Sequence, residues 1–297
     1  TKGNKFQNLA DCDIADYLDQ DLFLRELADG TFDSAINAVL HQGACSNTME
    51  TDGRYMMHNN YRYSVNLLEY CAEEDIPFIY ASSAAVYGAE TVFAEAREFE
   101  APLNVYGYSK FLFDQFVRSK RAQHDVHAIG LRYFNVYGER EQHKGRMASV
   151  AWHFFEQFRS AGKVKLFEGS GGYGAGEQRR DFVSVHDVAA VNLFFLDNPD
   201  RAGIYNVGTG AAQSFNEVAV AVVNACRAAA SDPPLDLALM QQQRIIEYIA
   251  FPPGLKDRYQ SYTQADLRLL REAGYDGGFR PVEEGVGDYV QRLLRQK

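Results

Sequence analysis

Short apolar runs of strand length alternate with longer stretches of helical period, and this alternation constrains the chain more than any other feature. Ala38-Val39-Leu40-His41 closes on Gly43-Ala44 and reads as a buried strand. From Arg54 to Glu73 the residues Tyr55, Val65, Leu67, Leu68 and Cys71 form a helical stripe. Pro77-Phe78-Ile79-Tyr80-Ala81 is a second strand, Tyr106 to Arg121 a second helix, and His127 to Phe134 a third strand. Strand and helix in strict alternation make parallel βαβ units, so the predicted class is α/β, with a doubly wound, parallel, Rossmann-like sheet. Later the rhythm loosens. A helix is expected over Met147 to Ser160, short strands over Val164 to Phe167 and Phe182 to Val185, a helix over Val188 to Leu196, and a strand over Gly203 to Val207. Ser214 caps the following helix, with Glu217 completing a capping box. The expected plan is a dinucleotide-binding domain over 1–138, with segments of about 181–210 returning to it, and a smaller, mainly substrate-binding α/β part over 139–297.

Composition narrows the function. Hydrophobic residues make up 46% of 297, ample for a buried core, and 30 Lys+Arg stand against 40 Asp+Glu, a formal charge of -10. That balance disfavours nucleic-acid or anionic-membrane binding, both of which draw on basic patches. It leaves room for a local basic pocket for a phosphorylated small molecule. The four cysteines, Cys12, Cys45, Cys71 and Cys226, lie far apart with no C-x-x-C pair, so neither a disulfide framework nor a metal site is expected. The polar start leads into no apolar run, and no stretch of about 18 apolar residues occurs; a cytoplasmic protein is the expectation.

Tyr106-Gly107-Tyr108-Ser109-Lys110 supplies the strongest chemical signal, a Y-x-x-x-K pair at a helix start. Residues four apart share a helical face, so the Lys110 ammonium can reach the region of the Tyr106 hydroxyl. A phenol of ordinary pKa near 10 is a poor base at neutral pH, and a nearby cation favours its phenolate. Upstream, a strand runs into Ser82-Ser83-Ala84-Ala85-Val86-Tyr87-Gly88, which sets serines just past the carboxyl end of a parallel strand, where open α/β sheets bind ligands. On spacing alone an incidental helical pair is the favoured reading, and a turn role stays open for one of the two serines.

Together these residues resemble the serine–tyrosine–lysine set of the extended, sugar-nucleotide-modifying branch of the short-chain dehydrogenase/reductase superfamily, with Ser83 as the matching hydroxyl. The resemblance narrows with His41 to Ser46 (HQGACS), Tyr55 to Tyr61, Leu103 to Phe113 (LNVYGYSKFLF), Arg132 to Gly138 (RYFNVYG), His143-Lys144-Gly145 with Met147-Ala148-Ser149, Phe167 to Ser170, Arg180 to Val183, and Arg258-Tyr259-Gln260 with Thr263 to Leu267. These runs are similar to the ADP-glyceromanno-heptose 6-epimerase family, enzymes of lipopolysaccharide inner-core precursor synthesis. The resemblance implies NADP as cofactor, an ADP-heptose substrate and a homo-oligomer, in the family a homopentamer. It implies Tyr106 and Lys144 as two acid/bases, Ser83 as the substrate-orienting hydroxyl, and Lys110 on the cofactor ribose. Cofactor contacts are implied at Lys5, Gln42, Gly43, Ala44, Cys45, Ser46, Asn59, Lys110 and Val136. Substrate contacts are implied at Asn135, Arg146, His153, Phe167, Glu168, Gly169, Ser170, Arg180 and Tyr259. Arg146 replaces the family's serine, and Gln20 stands where a lysine is common. The implied chemistry is transient oxidation at C6 with the hydride returned to the opposite face.

Three further expectations follow. Gly169 to Gly174 satisfies G-x-G-x-x-G but precedes a strand rather than opening a helix, so it is read as a loop. Relative to the family, a strand, glycine-rich turn, helix and second strand of roughly 30 residues would precede Thr1; a fragment lacking that cradle is expected to be poorly stable, and a binding-only homologue is the alternative to an active enzyme. A nucleotide-sugar 4-epimerase or 4,6-dehydratase is the enzymatic alternative, the dehydratase disfavoured because Ala84-Ala85 stands where that branch places Asp-Glu.

Overall fold

The computed structural model describes residues 3–32, 35–124, 126–252, 256 and 260–295. In chain order the helices and strands are α1 (Gln20–Ala28), β1 (Val39–His41), α2 (Gly53–Met56), α3 (Tyr63–Glu73), β2 (Phe78–Ser83), α4 (Val105–Gln123), β3 (Ala128–Tyr133), β4 (Asn135–Tyr137), α5 (Val150–Ala161), β5 (Val164–Phe167), β6 (Arg179–Arg180), β7 (Phe182–Ser184), α6 (Val185–Asp197), β8 (Gly203–Val207), β9 (Gln213–Ser214), α7 (Phe215–Ala229), α8 (Leu237–Gln242), β10 (Ile246–Ile249), α9 (Arg268–Glu272) and α10 (Val282–Arg295). Each strand and helix expected from periodicity has its counterpart here. The exception in detail is the helix expected over 54–73, where a π-helical turn, Met57–Arg62, separates α2 from α3. That turn buries the Asn60 amide, which holds the Cys45 backbone at both ends: Cys45 N donates to Asn60 Oδ1 (2.8 Å) and Asn60 Nδ2 donates to Cys45 O (2.9 Å).

The chain divides into two compact units. The first comprises Thr1–Gly88, Glu100–Arg132 and Asn192–Tyr205; the second comprises Ala89–Phe99, Tyr133–Val191 and Asn206–Lys297. The principal sheet has the order β1-β2-β3-β8. β1 and β2 are parallel, with Val39 opposite Phe78 and His41 opposite Tyr80, so their carboxyl ends lie side by side. The first unit's core packs Val65, Leu67, Leu68 and Cys71 of α3 and Phe113 and Val117 of α4 against Phe78 and Tyr80 of β2. The buried strands read as near-continuous apolar runs because a sheet covered on both faces has no solvent face to make polar.

The second unit has its own core, in which α5, α7 and α10 bury Phe155, Val222, Val223, Val286 and Val290 against Val164, Leu166 and Ile246. Its strands pair as β4 with β7 and β5 with β10, both parallel, and β6 with β9 antiparallel. The expected capping box is present: Ser214 Oγ accepts from Glu217 N (3.1 Å), and Ser214 N donates to Glu217 Oε2 (2.6 Å). Residues 169–174 form a turn ahead of β6, with no helix behind them. A Cβ on Gly169 would fall 2.4 Å from Tyr173 O, so this glycine serves a tight chain reversal.

Candidate active site

In the first unit, β2 ends at Ser83, whose extended backbone lets its Oγ accept from Ala85 N (3.1 Å) and cap a short turn, Ala84–Tyr87. Helix α4 begins beside that turn. Asn104 caps it by accepting from Gly107 N (2.8 Å), and a Cβ on Gly107 would sit 2.7 Å from Ala85 O. The first turn of α4 therefore lies against the end of β2, and the half-buried Tyr106 hydrogen-bonds the Ser83 side chain through its phenol. One helical turn on, the buried Lys110 Nζ donates to Ala81 O (2.7 Å). Burial pushes the Tyr106 phenol above its ordinary value; the Ser83 hydrogen bond pulls it down and Cys45 adds a smaller upward push. Burial lowers the Lys110 ammonium to about 8 while Asp114 opposes the shift. In the protein by itself Tyr106 is thus a neutral phenol and Lys110 is mostly a cation at neutral pH.

The turn Gln42 to Ser46 follows β1 at the same end of the sheet. Gln42, Gly43, Ala44 and Ser46 are exposed and Cys45 is half-buried, with Gln42 Nε2 donating to Asn192 Oδ1 (3.1 Å). Open space faces Gly43. Asn59, half-buried, donates to Asn60 Oδ1 (2.9 Å), and Asn60 also reaches Ser109 Oγ (3.2 Å), which donates to Tyr106 O (2.7 Å). A hydrogen-bonded path therefore links the Cys45 turn to the Tyr106 backbone through Asn60. Lys5 is exposed on a 3-10 turn, Gly3–Asn8. An exposed backbone turn, a buried lysine and a serine–tyrosine pair at the carboxyl ends of parallel strands fit the ribose and nicotinamide of a dinucleotide.

The second unit holds the remaining candidates. Lys144 and Arg146 are exposed on a 3-10 turn, Gln142–Met147, in which Gly145 has φ 57°. Buried Glu141 fixes the base of this turn by accepting from Ser149 N (2.6 Å), Ser149 Oγ (2.7 Å) and Tyr289 OH (2.9 Å). His153 Nε2 lies 3.4 Å from Arg146 O. Arg180, buried, packs its guanidinium over the Phe215 ring (5.7 Å to the centroid) and donates to Arg179 O (3.0 Å). Next to it, buried Asp181 accepts from Thr209 N and Oγ1 (2.6 and 2.8 Å), Gly210 N (2.9 Å) and Ala265 N (3.0 Å), while its backbone oxygen accepts from Asn135 N (3.0 Å). Burial raises the Asp181 carboxyl against these hydrogen bonds. Thr209, Gly210 and Ala265 also line a cavity of about 510 Å³ together with Thr91, Phe93, Tyr262 and Gln264. Asn135 is exposed and Val136 half-buried on β4. Phe167 stacks on Phe251 (4.6 Å between centroids), and Gln178 Nε2 holds the Glu168–Ser170 turn through Glu168 O (2.8 Å) and Ser170 Oγ (3.1 Å). Tyr259 lies outside the described residues.

Sequence reasoning singled out Ser83, Tyr106 and Lys110, which the structure brings together, but assigned no role to Asn60, Asp114 or Asp181. The polar residue four positions after Lys110, set among apolar neighbours, was the available signal for Asp114.

A Rossmann-like sheet with a serine, tyrosine and lysine at its carboxyl edge defines a nicotinamide-dependent enzyme of the short-chain dehydrogenase/reductase type. Residues 1–208 match the model of the NAD dependent epimerase/dehydratase family, and the chain belongs to that family. It is 63% identical over 295 residues to the ADP-L-glycero-D-manno-heptose-6-epimerase of Thiobacillus denitrificans, covering 99% of this chain and 89% of the relative. The crystal structure of the ADP-L-glycero-D-manno-heptose-6-epimerase of Helicobacter pylori superposes with a TM-score of 0.77 at 32% identity, over 97% of this chain and 82% of that one. The UDP-glucose 4-epimerase of Thermus thermophilus, solved as a complex with NAD, gives a TM-score of 0.69 at 26% identity over 94% and 83% of the two chains.

Proposed function

We propose that this chain epimerises C6 of an ADP-glyceromanno-heptose, interconverting the D-glycero and L-glycero forms for the lipopolysaccharide inner core. The observation that carries the reading is the Ser83–Tyr106–Lys110 arrangement in a chain 63% identical to a heptose 6-epimerase. Residues 1–138 would hold the cofactor and residues 139–297 mainly the nucleotide sugar. NADP is preferred over NAD, on the family resemblance and on Lys5 as a cation for its extra phosphate. The Gln42 to Ser46 turn, Asn59, Lys110 and Val136 would hold the rest of it. When bound, the oxidised nicotinamide supplies a hydride acceptor and a positive charge that favours the Tyr106 phenolate.

The chain's own residues account for proton handling and orientation. Tyr106 Oη takes the proton of the C6 hydroxyl as C6 becomes a ketone, while Ser83 Oγ orients that oxygen. Lys110 holds the ribose and keeps a positive charge near Tyr106. Return of hydride to the opposite face needs a second proton donor, the role given to Lys144 Nζ. Arg180 offers a two-pronged donor for the pyrophosphate. Asn135, Arg146, His153, the Phe167–Ser170 turn and Tyr259 would hold the heptose and adenosine, and Ala84-Ala85 leaves no carboxylate pair for a dehydratase. A cytoplasmic homo-oligomer completes the reading.

The test is a pair of variants. Tyr106→Phe and Lys144→Met should each slow epimer formation by about 100-fold or more while leaving the melting transition in place. Near-normal turnover in either removes that residue from the chemistry.

A further inference from the structure

Below the tyrosine and lysine, α4 continues the same face. Tyr106, Lys110, Asp114 and Arg118 follow at four-residue intervals, so a phenol, a cation, a carboxylate and a second cation stack turn on turn. Asp114 is fully buried, and its two oxygens are fully engaged. Oδ1 accepts from Tyr80 OH (2.9 Å); Oδ2 accepts from Ser82 Oγ (3.0 Å) and from Arg132 Nε and Nη2 (2.9 and 2.8 Å). Tyr80 and Ser82 alternate along β2 with Ala81, whose carbonyl accepts from Lys110, and Ser83, whose hydroxyl hydrogen-bonds Tyr106. One carboxylate on α4 therefore grips the strand residues that flank both active-site contacts. Arg132, also fully buried, is shared with Glu100, which pairs with Arg118 as well (2.6 Å).

We propose that Asp114 is a positioning residue for the reaction: through Tyr80, Ser82 and Arg132 it locks the register of α4 on the end of β2, and it sets a negative charge one helical turn from Lys110. The inference rests on the proposed epimerase reading for its kinetic test, and on the charge arrangement alone for a second test without substrate. The groups that face this carboxylate are Tyr80 and Ser82 from β2, Arg132 from β3, and Lys110 and Arg118 from α4; Glu100 and Tyr87 also bond Arg132. Burial works against the charge on Lys110, and Asp114 is the neighbour that supports it. Loss of the Asp114 negative charge favours the less protonated form of Lys110, so its ionisation moves to lower pH.

The experiment compares the unmodified chain, Asp114→Asn, Asp114→Glu and Ser82→Ala, each supplied with nicotinamide dinucleotide. In the pH profile of epimer formation, Asp114→Asn is expected to shift the alkaline limb to lower pH by about one unit and to lower kcat. Asp114→Glu restores the charge and should return the limb to its original position. Ser82→Ala keeps the charge and removes one strand contact, so it should lower kcat several-fold with the limb unmoved and KM unchanged. The Lys110 ammonium can also be titrated without substrate, from the NMR shift of its isotope-labelled side chain assigned against Lys110→Arg, and the same downward shift is expected in Asp114→Asn. That readout separates the two ideas: no epimerisation by the unmodified chain removes the proposed function, whereas the shifted Lys110 still supports the role of Asp114. An unmoved limb and an unmoved Lys110 in Asp114→Asn overturn it. Should Asp114→Asn fail to fold, the Glu and Ala variants decide: a displaced limb in Asp114→Glu, or an unchanged kcat in Ser82→Ala, overturns the proposal.

Discussion

His41 shows how a single buried side chain ties the sheet's edge to pH. It ends β1, donates or accepts through Nε2 at Ser64 Oγ (2.8 Å), and stacks near Phe78 (5.8 Å between centroids). Burial, with Lys110 adding to it, drops its pKa from 6.5 to about 3. The unfolded chain thus binds a proton near pH 6.5 that the folded chain refuses until about pH 3. Stability is full above the upper value and falls as pH descends toward the lower one, by at most about 1.4 kcal/mol per unit. Denaturant midpoints measured across that window should fall for the unmodified chain and fall less steeply for His41→Gln; parallel slopes would refute a neutral, buried His41. The sequence marked Tyr106 and Lys110 because four-residue spacing is a local property. Asp114 escaped because a carboxylate in a helix ordinarily reads as solvated, and the groups that make it a buried hub, Tyr80 and Arg132, lie on other strands.

Among the elements, α4 was legible from its helical period and α7 from its capping box. Ser214→Ala removes a reciprocal cap and should cost about 1 kcal/mol of stability, read as a lower denaturant midpoint; an unchanged midpoint would make the capping box ornamental. Gly107 is more consequential for activity, because any side chain there meets the Ala85 carbonyl. Gly107→Ala should destabilise by roughly 1–3 kcal/mol and also slow turnover, since it pushes the start of α4 off the turn that follows Ser83. Loss of stability at full turnover would show that the contact does not set the position of Tyr106. The π-helical turn over Met57–Arg62 left no mark on the apolar pattern, since His58, Asn59, Asn60 and Arg62 interrupt the stripe with polar residues. Its signature is the chemistry of Asn60, an amide that satisfies a distant backbone turn at both ends.

For the molecule as a whole, alternation of strand and helix was enough to give a parallel α/β sheet, while the make-up of the two units depends on contacts between residues far apart in sequence. Segment 89–99 belongs with the second unit because Asn206 N donates to Glu95 Oε1 (2.7 Å) and Asn206 Nδ2 donates to Phe93 O (2.6 Å) and Asp266 O (3.1 Å). No local pattern announces such a tie. Among the described residues no helix is long and apolar enough to cross a membrane, and no group of His, Cys, Asp or Glu is placed to hold a metal ion. What the whole chain should do is invert one carbon with no net change of oxidation state. The decisive measurement is proton NMR of ADP-D-glycero-D-manno-heptose incubated with the chain and catalytic NADP, with NADPH absorbance followed in parallel. Growth of the L-glycero epimer with no build-up of NADPH is the predicted result. Stoichiometric NADPH, inversion at a ring carbon instead of C6, or an unchanged spectrum would contradict it.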